Sequence, residues 1–289
     1  SVMWGVSAVT APMLGAFFVE VATWRWIFYV NIPVCILALL LLIPYKEAYR
    51  AKRAAVDFGG AFLFALATGL LLVTTVVEQH HALYFAAGAA LLALFIFYER
   101  RHVSPLVPFS VFSNRAVAWM IVNAFVACAS LFGTSSYIPL YLQNEGYSLF
   151  ASGLALLGSS LGWMAASSQA GRWIVKYGYR PLLIAGNGLL VLSGALLVFL
   201  PKSYAFAYVF ATLAVQGAAF GTIFTVTVIG AQQMVAADQK GISTSLQMFA
   251  RNIGTAIGVT IMGAFLTKAP DFATGIHRLF TYGLLASLL

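Results

Sequence analysis

Arg251 is the residue of this sequence whose chemistry stands out most, because it lies inside an otherwise apolar stretch. If that stretch is a membrane helix beginning near Gly241, the helical rise places Arg251 about 15 Å deep, close to the middle of the bilayer core. If residues 243–245 still lie among the lipid headgroups, the depth is only about 10 Å, and the side chain can reach the cytoplasmic surface. Anchoring at that surface and lining a cavity are therefore both open to Arg251.

Three neutral amides are further candidates for lining a cavity, and each occupies a different apolar stretch: Asn31, Asn123 and Gln216. Asn187 lies in yet another stretch. Inside a membrane an amide can bind a substrate, but it can equally well form a hydrogen bond with a neighbouring helix. The sequence leaves both roles open for all four residues.

Two acidic residues near the ends of apolar stretches have simpler interpretations. Glu20 lies at the outer end of the first stretch, where ionisation costs little, and this favours a surface role over proton binding. Asp57 directly precedes Phe58 and the pair Gly59 and Gly60, a position typical of a helix N-cap.

Motifs for catalysis and metal binding are absent from the sequence. His80 and His81 are adjacent, but no third ligand lies near them, so the pair makes a poor zinc site. The phosphate-binding pattern G-x-x-x-x-G-K-S/T is missing, as is the metalloprotease pattern H-E-x-x-H. The sequence therefore predicts no enzyme, no cofactor and no metal, and any energy that the protein uses must come from an ion gradient or from its substrate.

The composition indicates an integral membrane protein. Hydrophobic residues make up 62% of the 289 and charged residues only 8%, and the mean hydropathy is +0.92. Soluble domains usually contain about 45–50% apolar and about 25% charged residues, so this chain cannot cover a water-exposed surface, and disorder is excluded as well. The net charge of +8 does not indicate nucleic-acid binding, because the basic residues form no single stripe.

Ten apolar stretches, most of them near the roughly 20 residues that a membrane helix needs, follow one another along the chain: 2–22, 26–45, 58–77, 82–98, 117–139, 151–170, 181–200, 204–230, 243–267 and 279–289. Apolar residues run continuously in them rather than alternating, which predicts helices and not a β-barrel. We therefore expect an all-α integral membrane protein, a polytopic helical bundle. Because Ser1 is not methionine and the last stretch has only about eleven residues, too few to cross, we also expect a fragment of a longer protein.

The basic residues predict the orientation of these spans. If the loop after residue 45 is cytoplasmic and the sides alternate from there, eleven Lys and Arg lie in cytoplasmic loops and four in outer loops. The four outer residues are Arg25, Lys202, Lys268 and Arg278. This excess agrees with the positive-inside rule, and a miscounted helix would have mixed the two groups.

The first two stretches carry motifs of a known family. Residues 5–16 are G-V-S-A-V-T-A-P-M-L-G-A, and residues 24–34 are W-R-W-I-F-Y-V-N-I-P-V. Together they resemble the fifth and sixth helices of the major facilitator superfamily, and more narrowly its fourteen-helix drug:proton antiporter branch, the EmrB/QacA type. The antiporter motif of that branch is Gly-Pro-x-x-Gly-Gly; Ala11, Pro12 and Gly15 occupy it here, with alanine in place of two glycines. The resemblance implies that these residues pack against a neighbouring helix.

A second motif is the sequence G-R-W-I-V-K-Y-G-Y-R-P of residues 171–181. It is similar to the cytoplasmic loop Gly-x-x-x-Asp-Arg-x-Gly-Arg-Arg of the superfamily, although Val175 takes the place of the acidic residue. The matching positions are Gly171, Lys176, Gly178 and Arg180. Residues 247–259 resemble the penultimate helix of the branch.

The resemblance also implies a domain organisation. Residues 1–45 would be the end of the N-terminal bundle with helices 5 and 6, and residues 46–115 would be two inserted spans with cytoplasmic linkers. Residues 116–289 would be the C-terminal bundle, with helices 9–14 and the last one incomplete.

The function implied by the resemblance is proton-coupled efflux of hydrophobic, often cationic drugs by alternating access in the inner membrane. The partners would be membrane lipid, a small hydrophobic substrate and protons, together with a periplasmic adaptor and an outer-membrane channel where efflux crosses a second membrane. In that branch the coupling carboxylates lie largely in the first four helices, which this chain lacks. A facilitator of a polar solute, such as a sugar, an organic acid or a siderophore, and a non-transporting scaffold or sensor remain the alternatives.

Overall fold

A computed structural model describes residues 2–46, 57–77, 80–102, 105, 114–200 and 205–288. Within these ranges the chain is almost entirely helical and forms no strand. The helices are α1 (Val2–Val21), α2 (Trp26–Tyr29), α3 (Asn31–Leu42), α4 (Phe58–Val76), α5 (His81–Glu99), α6 (Arg115–Ser135), α7 (Ile138–Asn144), α8 (Leu149–Ala155), α9 (Leu157–Tyr177), α10 (Tyr179–Val198), α11 (Ala205–Gln233), α12 (Lys240–Thr267) and α13 (Phe272–Leu288).

Each of the ten predicted stretches contains at least one helix, which confirms the all-α fold. Six helical segments of the described chain are long and apolar enough to cross a membrane: Ala82–Glu99, Arg115–Asn144, Leu149–Tyr177, Tyr179–Val198, Phe206–Gln233 and Lys240–Thr267. Trp26–Leu42 and Phe58–Thr74 are shorter apolar helices. The fold is therefore that of a polytopic helical membrane protein.

Three of the predicted stretches are divided in the structure. The second is interrupted at Val30, between α2 and α3. The fifth is continued by α7, which begins at Ile138 with Pro139 in its first turn, where the missing N–H of proline leaves no hydrogen bond unmade. The sixth is interrupted at Leu156, between α8 and α9. None of the three interruptions ends the apolar segment.

The predicted start of the last stretch, at residue 279, is wrong. Helix α13 begins at Phe272, because Asp271 accepts a hydrogen bond from the backbone N–H of Thr274 at 2.8 Å and so caps the first turn. His277 and Arg278 then lie on the exposed side of a continuous helix. These polar side chains interrupt the apolar run of the sequence but not the helix, which has 17 residues and not eleven.

Helices α9 and α11 pack backbone to backbone. Gly158 and Gly162 of α9 lie against carbonyl oxygens of α11, and Gly217 and Gly221 of α11 lie against those of α9, so that none of the four has room for a Cβ. The contact point in α11 advances towards its C-terminus as the contact point in α9 does, and the two helices therefore run parallel. Both Gly-xxx-Gly pairs thus mediate close helix packing.

Helices α6 and α12 form a second pair of the same kind. Gly254 lies at the carbonyl of Phe125, and Gly258 lies at the carbonyl of Ala129, so this pair is also parallel. Buried apolar side chains from α6, α10 and α11 then fill the space between the two pairs. The result is a compact core in which the side chains of α6, α9, α11 and α12 hold fixed positions.

The remaining helices pack around this core. Helix α1 contacts α8 and α9, and α4 packs against α5 as a hairpin. The hairpin reaches the core through the rings of Phe64 in α4 and Phe249 in α12, whose centroids are 4.7 Å apart. The division into segments 1–45, 46–115 and 116–289 stays a prediction.

Candidate functional site

The guanidinium group of Arg251 lies between helices and not at the end of its own helix. Its Cζ atom is 3.9 Å from the ring centroid of Phe224 and 5.8 Å from that of Phe220, both in α11. The thiol of Cys128 in α6 is its polar neighbour. Arg251 Nε and Nη1 are buried and have no hydrogen-bond partner among the described residues. The side chain therefore occupies the protein interior, where a guanidinium without an acidic partner is costly.

Phe220 and Phe224, which contact Arg251, belong to a cluster of four rings in mutual contact. We call this cluster the aromatic wall: Phe132, Trp163, Phe220 and Phe224. The rings of Trp163 and Phe220 meet edge to face with centroids 5.0 Å apart, and Phe132 meets Phe220 at 5.6 Å. Such contacts favour defined relative orientations of the rings.

A cavity of about 270 Å³ opens beside the aromatic wall. Trp163, Phe132 and Phe220 form its apolar side, and its hydroxyl groups come from Ser135, Ser136, Ser159 and Ser160. An apolar cleft with a few hydroxyl groups is typical of a site that binds a hydrophobic small molecule and orients it by hydrogen bonds.

Gln247 is a polar residue of this region that the sequence analysis did not single out. It is fully buried, and neither its Nε2 nor its Oε1 has a hydrogen-bond partner among the described residues. Gln247 lies four residues before Arg251 in α12, so the two side chains project from the same face of the helix. The sequence signal that could have identified Gln247 is this spacing, because two polar residues four positions apart lie on one face of an apolar helix.

The structure gives the other predicted cavity residues hydrogen-bond partners. Asn123 in α6 donates to Asn187 Oδ1 in α10 at 3.0 Å, beside a separate cavity of about 820 Å³ between these helices and the end of α13. Gln216 is buried and donates to Thr134 Oγ1 in α6 at 2.9 Å. Asn31 is exposed and donates to the carbonyl of Ile27 in its own segment. A substrate contact by any of these amides stays a prediction.

The predicted loop motif lies at the junction of α9 and α10. Gly178 has a φ of 80°, which favours glycine, and it ends α9 and begins α10 within one residue. Lys176 and Arg180 are exposed on either side of this turn, and Arg180 also borders the larger cavity. Gly171 lies within α9 next to open space. The motif therefore forms a tight basic turn, and its role in transport stays a prediction.

The predicted antiporter motif lies within α1, the helix that contacts α8 and α9. Ala11 is exposed and Gly15 is half-buried, and a Cβ on Gly15 would meet no described atom within 4 Å. Pro12 lies in the same helical turn as Ala11. Close packing of Ala11, Pro12 and Gly15 against a neighbouring helix stays a prediction.

The α4–α5 hairpin carries a buried acidic cluster at the end where α4 begins and α5 ends. Asp57 accepts a hydrogen bond from the backbone N–H of Gly60 at 2.7 Å, which confirms the predicted N-cap, and it accepts another from Tyr98 Oη at 3.2 Å. The ring nitrogen Nδ1 of His102 lies 3.7 Å from Asp57 Oδ2. Glu99 is also fully buried, and its Oε1 lies close to the position that a Cβ on Gly60 would occupy. The sequence did not reveal the burial of Glu99, because this depends on how the hairpin closes.

Comparison with known proteins adds an independent result. The chain is 29% identical to the multidrug efflux pump SdrM of Staphylococcus aureus (strain N315) over 96% of its length, which is 64% of the length of SdrM. It is 25% identical to the multidrug transporter protein MdtP of Bacillus subtilis (strain 168), and it covers 51% of that protein. The chain thus spans between about half and two thirds of the length of these relatives.

A protein of known structure has a similar fold. The structure of a variant of the nucleoside transporter NupG matches 99% of this chain and 80% of its own, with a TM-score of 0.52 and 16% sequence identity. A similarity at this level of identity concerns the fold alone. The sequence profile of the Major Facilitator Superfamily matches residues 1–259, which is most of the chain. The protein belongs to the Major Facilitator Superfamily.

Proposed function

We propose that the protein exports hydrophobic, aromatic compounds across the cytoplasmic membrane by proton-coupled alternating access. The observation that carries this proposal is the aromatic wall beside the serine-lined cavity of about 270 Å³. Aromatic faces can accept flat hydrophobic compounds of different shapes, because stacking needs no fixed pattern of hydrogen bonds. The names of relatives such as SdrM and MdtP, which describe multidrug transport, support the same substrate class.

The two parallel helix pairs supply rigid units for such a transport cycle. The α6–α12 pair and the α9–α11 pair are each held by glycine-to-backbone contacts, so movement within a pair would separate closely packed main chains. Both pairs contribute to the site: Arg251 lies on α12, Phe132 on α6 and Trp163 on α9. A rigid-body rocking of the bundle would therefore expose an intact binding surface first to one side of the membrane and then to the other.

The proton gradient is the energy source that fits the sequence. The chain lacks a phosphate-binding loop, and the branch that it resembles couples export to protons. The inner-membrane location, and the adaptor and outer-membrane channel as partners, rest on the same resemblance.

Uptake into everted vesicles tests this function. The complete reading frame is expressed, the vesicles are energised with a proton gradient, and accumulation of a lipophilic aromatic dye is followed with and without a protonophore. We expect gradient-dependent, protonophore-sensitive uptake. Trp163→Ala should reduce uptake, because it removes part of the aromatic wall, whereas Trp173→Ala on the exposed side of the same helix should not.

Three outcomes of the uptake experiment would contradict different parts of the proposal. If correctly inserted protein takes up none of a set of hydrophobic dyes, a facilitator of a polar solute becomes the better explanation. Dye uptake that persists unchanged with the protonophore would argue against proton coupling specifically. Absence of any gradient-linked flux would favour the non-transporting scaffold.

A further inference from the structure

We propose that Arg251 and Gln247 bind the anionic group of an aromatic substrate, so that this half of the transporter selects aromatic anions over aromatic cations. The inference rests on the proposed function, because it names the substrate class of the same site. It also departs from the cationic substrates that the family resemblance implies.

The charge at the site is positive and is not neutralised by the helices that surround it. None of the helices α6, α9, α10, α11, α12 and α13 contains an aspartate or a glutamate. Arg251 therefore faces rings, the Cys128 thiol and neutral side chains. A cationic ligand at this position would meet a like charge in a region of low dielectric constant, and an anionic ligand would meet an opposite charge.

Part of the hydrogen-bonding capacity of the site is also unused. Arg251 Nε and Nη1 are buried donors without a described partner, although the guanidinium also contacts the Cys128 thiol. Gln247, one helical turn away, has a buried donor at Nε2 and a buried acceptor at Oε1, and neither has a described partner. Buried polar groups in proteins are nearly always paired, so several unpaired donors on one helix face indicate a missing acceptor. A carboxylate or sulfonate has the acceptor oxygens and the charge that these donors match.

The neighbouring rings stabilise the buried guanidinium of Arg251, and they also indicate why a ligand at this site would be aromatic. The face of Phe224 lies 3.9 Å from Arg251 Cζ and gives the cation a favourable contact without filling its N–H positions. Phe220 contacts both Arg251 and Trp163 and borders the serine-lined cavity. A compound whose ring stacks on the aromatic wall can therefore extend its acidic group towards Arg251.

Direct binding tests the inference separately from transport. Purified complete protein in lipid nanodiscs is titrated with three probes of similar shape: 1-naphthoate, which is anionic, 1-naphthalenemethanol, which is neutral, and 1-naphthylmethylammonium, which is cationic. We expect naphthoate to bind about tenfold more tightly than the ammonium probe, since a hydrogen-bonded charge is worth that much or more. Arg251→Gln should remove this preference and leave binding of the alcohol within about twofold.

Matched variants exclude a general effect on the fold. Arg172→Gln removes an exposed arginine from α9 and should leave all three affinities unchanged. Arg251→Lys keeps the charge but loses donors, so it should retain part of the preference, and it serves if Arg251→Gln fails to fold. Gln247→Leu should weaken naphthoate binding and leave alcohol binding unchanged.

Two results would overturn the inference. One is equal binding of the three probes by the unmodified protein. The other is an equal loss of naphthoate and alcohol binding in Arg251→Gln, which would make Arg251 a structural residue. Because no gradient enters the experiment, a preference for naphthoate in protein that shows no dye uptake would contradict the proposed export and leave the anion site standing.

Discussion

Asp271 caps the N-terminus of α13 in the short connection after α12, outside the membrane-spanning helices. Its Oδ1 accepts the backbone N–H of Thr274 and its Oδ2 accepts the Thr274 hydroxyl, both at 2.8 Å. The backbone hydrogen bond from Thr274 lowers the pKa of the Asp271 carboxyl, and the hydroxyl and the nearby Arg278 act in the same direction. A carboxylate held in this way stabilises the folded protein more when it is ionised than when it is protonated.

We therefore expect the contribution of Asp271 to depend on pH. It should be complete at neutral pH and decrease as the pH falls below about 4 and through the lowered pKa of the carboxyl. Asp271→Ala should lower the thermal unfolding temperature at pH 7 and have a smaller effect at the most acidic pH that the protein tolerates. Asp271→Asn keeps a capping group and serves as the control, with most of the stability and less of the pH dependence. An Asp271→Ala effect that is constant with pH would contradict this assignment.

Local interactions of single residues can be predicted from the sequence more reliably than positions in the interior. The cap by Asp57 was predicted because it involves only the next turn of the same chain. The position of Arg251 was left open because it depends on how α11 and α6 pack around α12. Gln247 and Glu99 were missed for the same reason, since burial of a polar side chain is a property of the assembled bundle.

At the scale of helices, the contacts of glycine determine how the pairs assemble. A methyl group on Gly217 would meet the backbone of Ser159 in α9, and this main chain cannot move without separating the two helices. In α10, Gly188 has no described atom within 4 Å of such a methyl group. The two positions differ in packing and not in residue type.

We expect Gly217→Ala to destabilise the protein by about 1–3 kcal/mol, the usual cost of overpacking. Gly188→Ala is the matched control and should be neutral. Thermal unfolding of both variants in detergent, together with their abundance in the membrane, measures the difference. Equal unfolding temperatures for the two variants would show that α9 and α11 can separate at little cost.

Hydropathy predicted where the helices lie but not all of their ends. All ten stretches contain helices, because burial in a membrane requires long apolar segments. The start of α13 was misplaced because His277 and Arg278 interrupt the apolar run on one face only. The break at Val30 was missed because the apolar stretch continues beyond it, although Asn31 and Pro33 follow it closely.

For the whole molecule, the parallel pairs provide an internal check of the predicted topology. With alternating crossings, α9 and α11 must run in one direction and α6 and α12 in the other, and the glycine contacts show that each pair is parallel. The orientation itself comes from the excess of basic residues in the loops predicted to be cytoplasmic. The sequence alone could thus predict the order of the spans and which of them run parallel to each other. The packing within each pair could be seen only in the structure.

Labelling of single cysteines tests this orientation. In a background with Cys35 and Cys128 replaced, Lys268→Cys should react with a membrane-impermeant maleimide in intact cells. Lys176→Cys should react only after the membrane is permeabilised, because the turn after α9 is predicted to be cytoplasmic. Both side chains are exposed, so a difference in labelling reports sidedness. The opposite pattern would invert the predicted topology.

The glycine contacts of the helix pairs also limit how this protein can evolve. Any amino-acid change at Gly158, Gly162, Gly217 or Gly221 introduces a Cβ into a space already filled by main chain. Side chains of the aromatic wall can instead be exchanged for others of similar size. When the compounds to be exported change, substitutions in the aromatic wall can therefore alter what the protein binds. The four glycines should remain unchanged in the same variants.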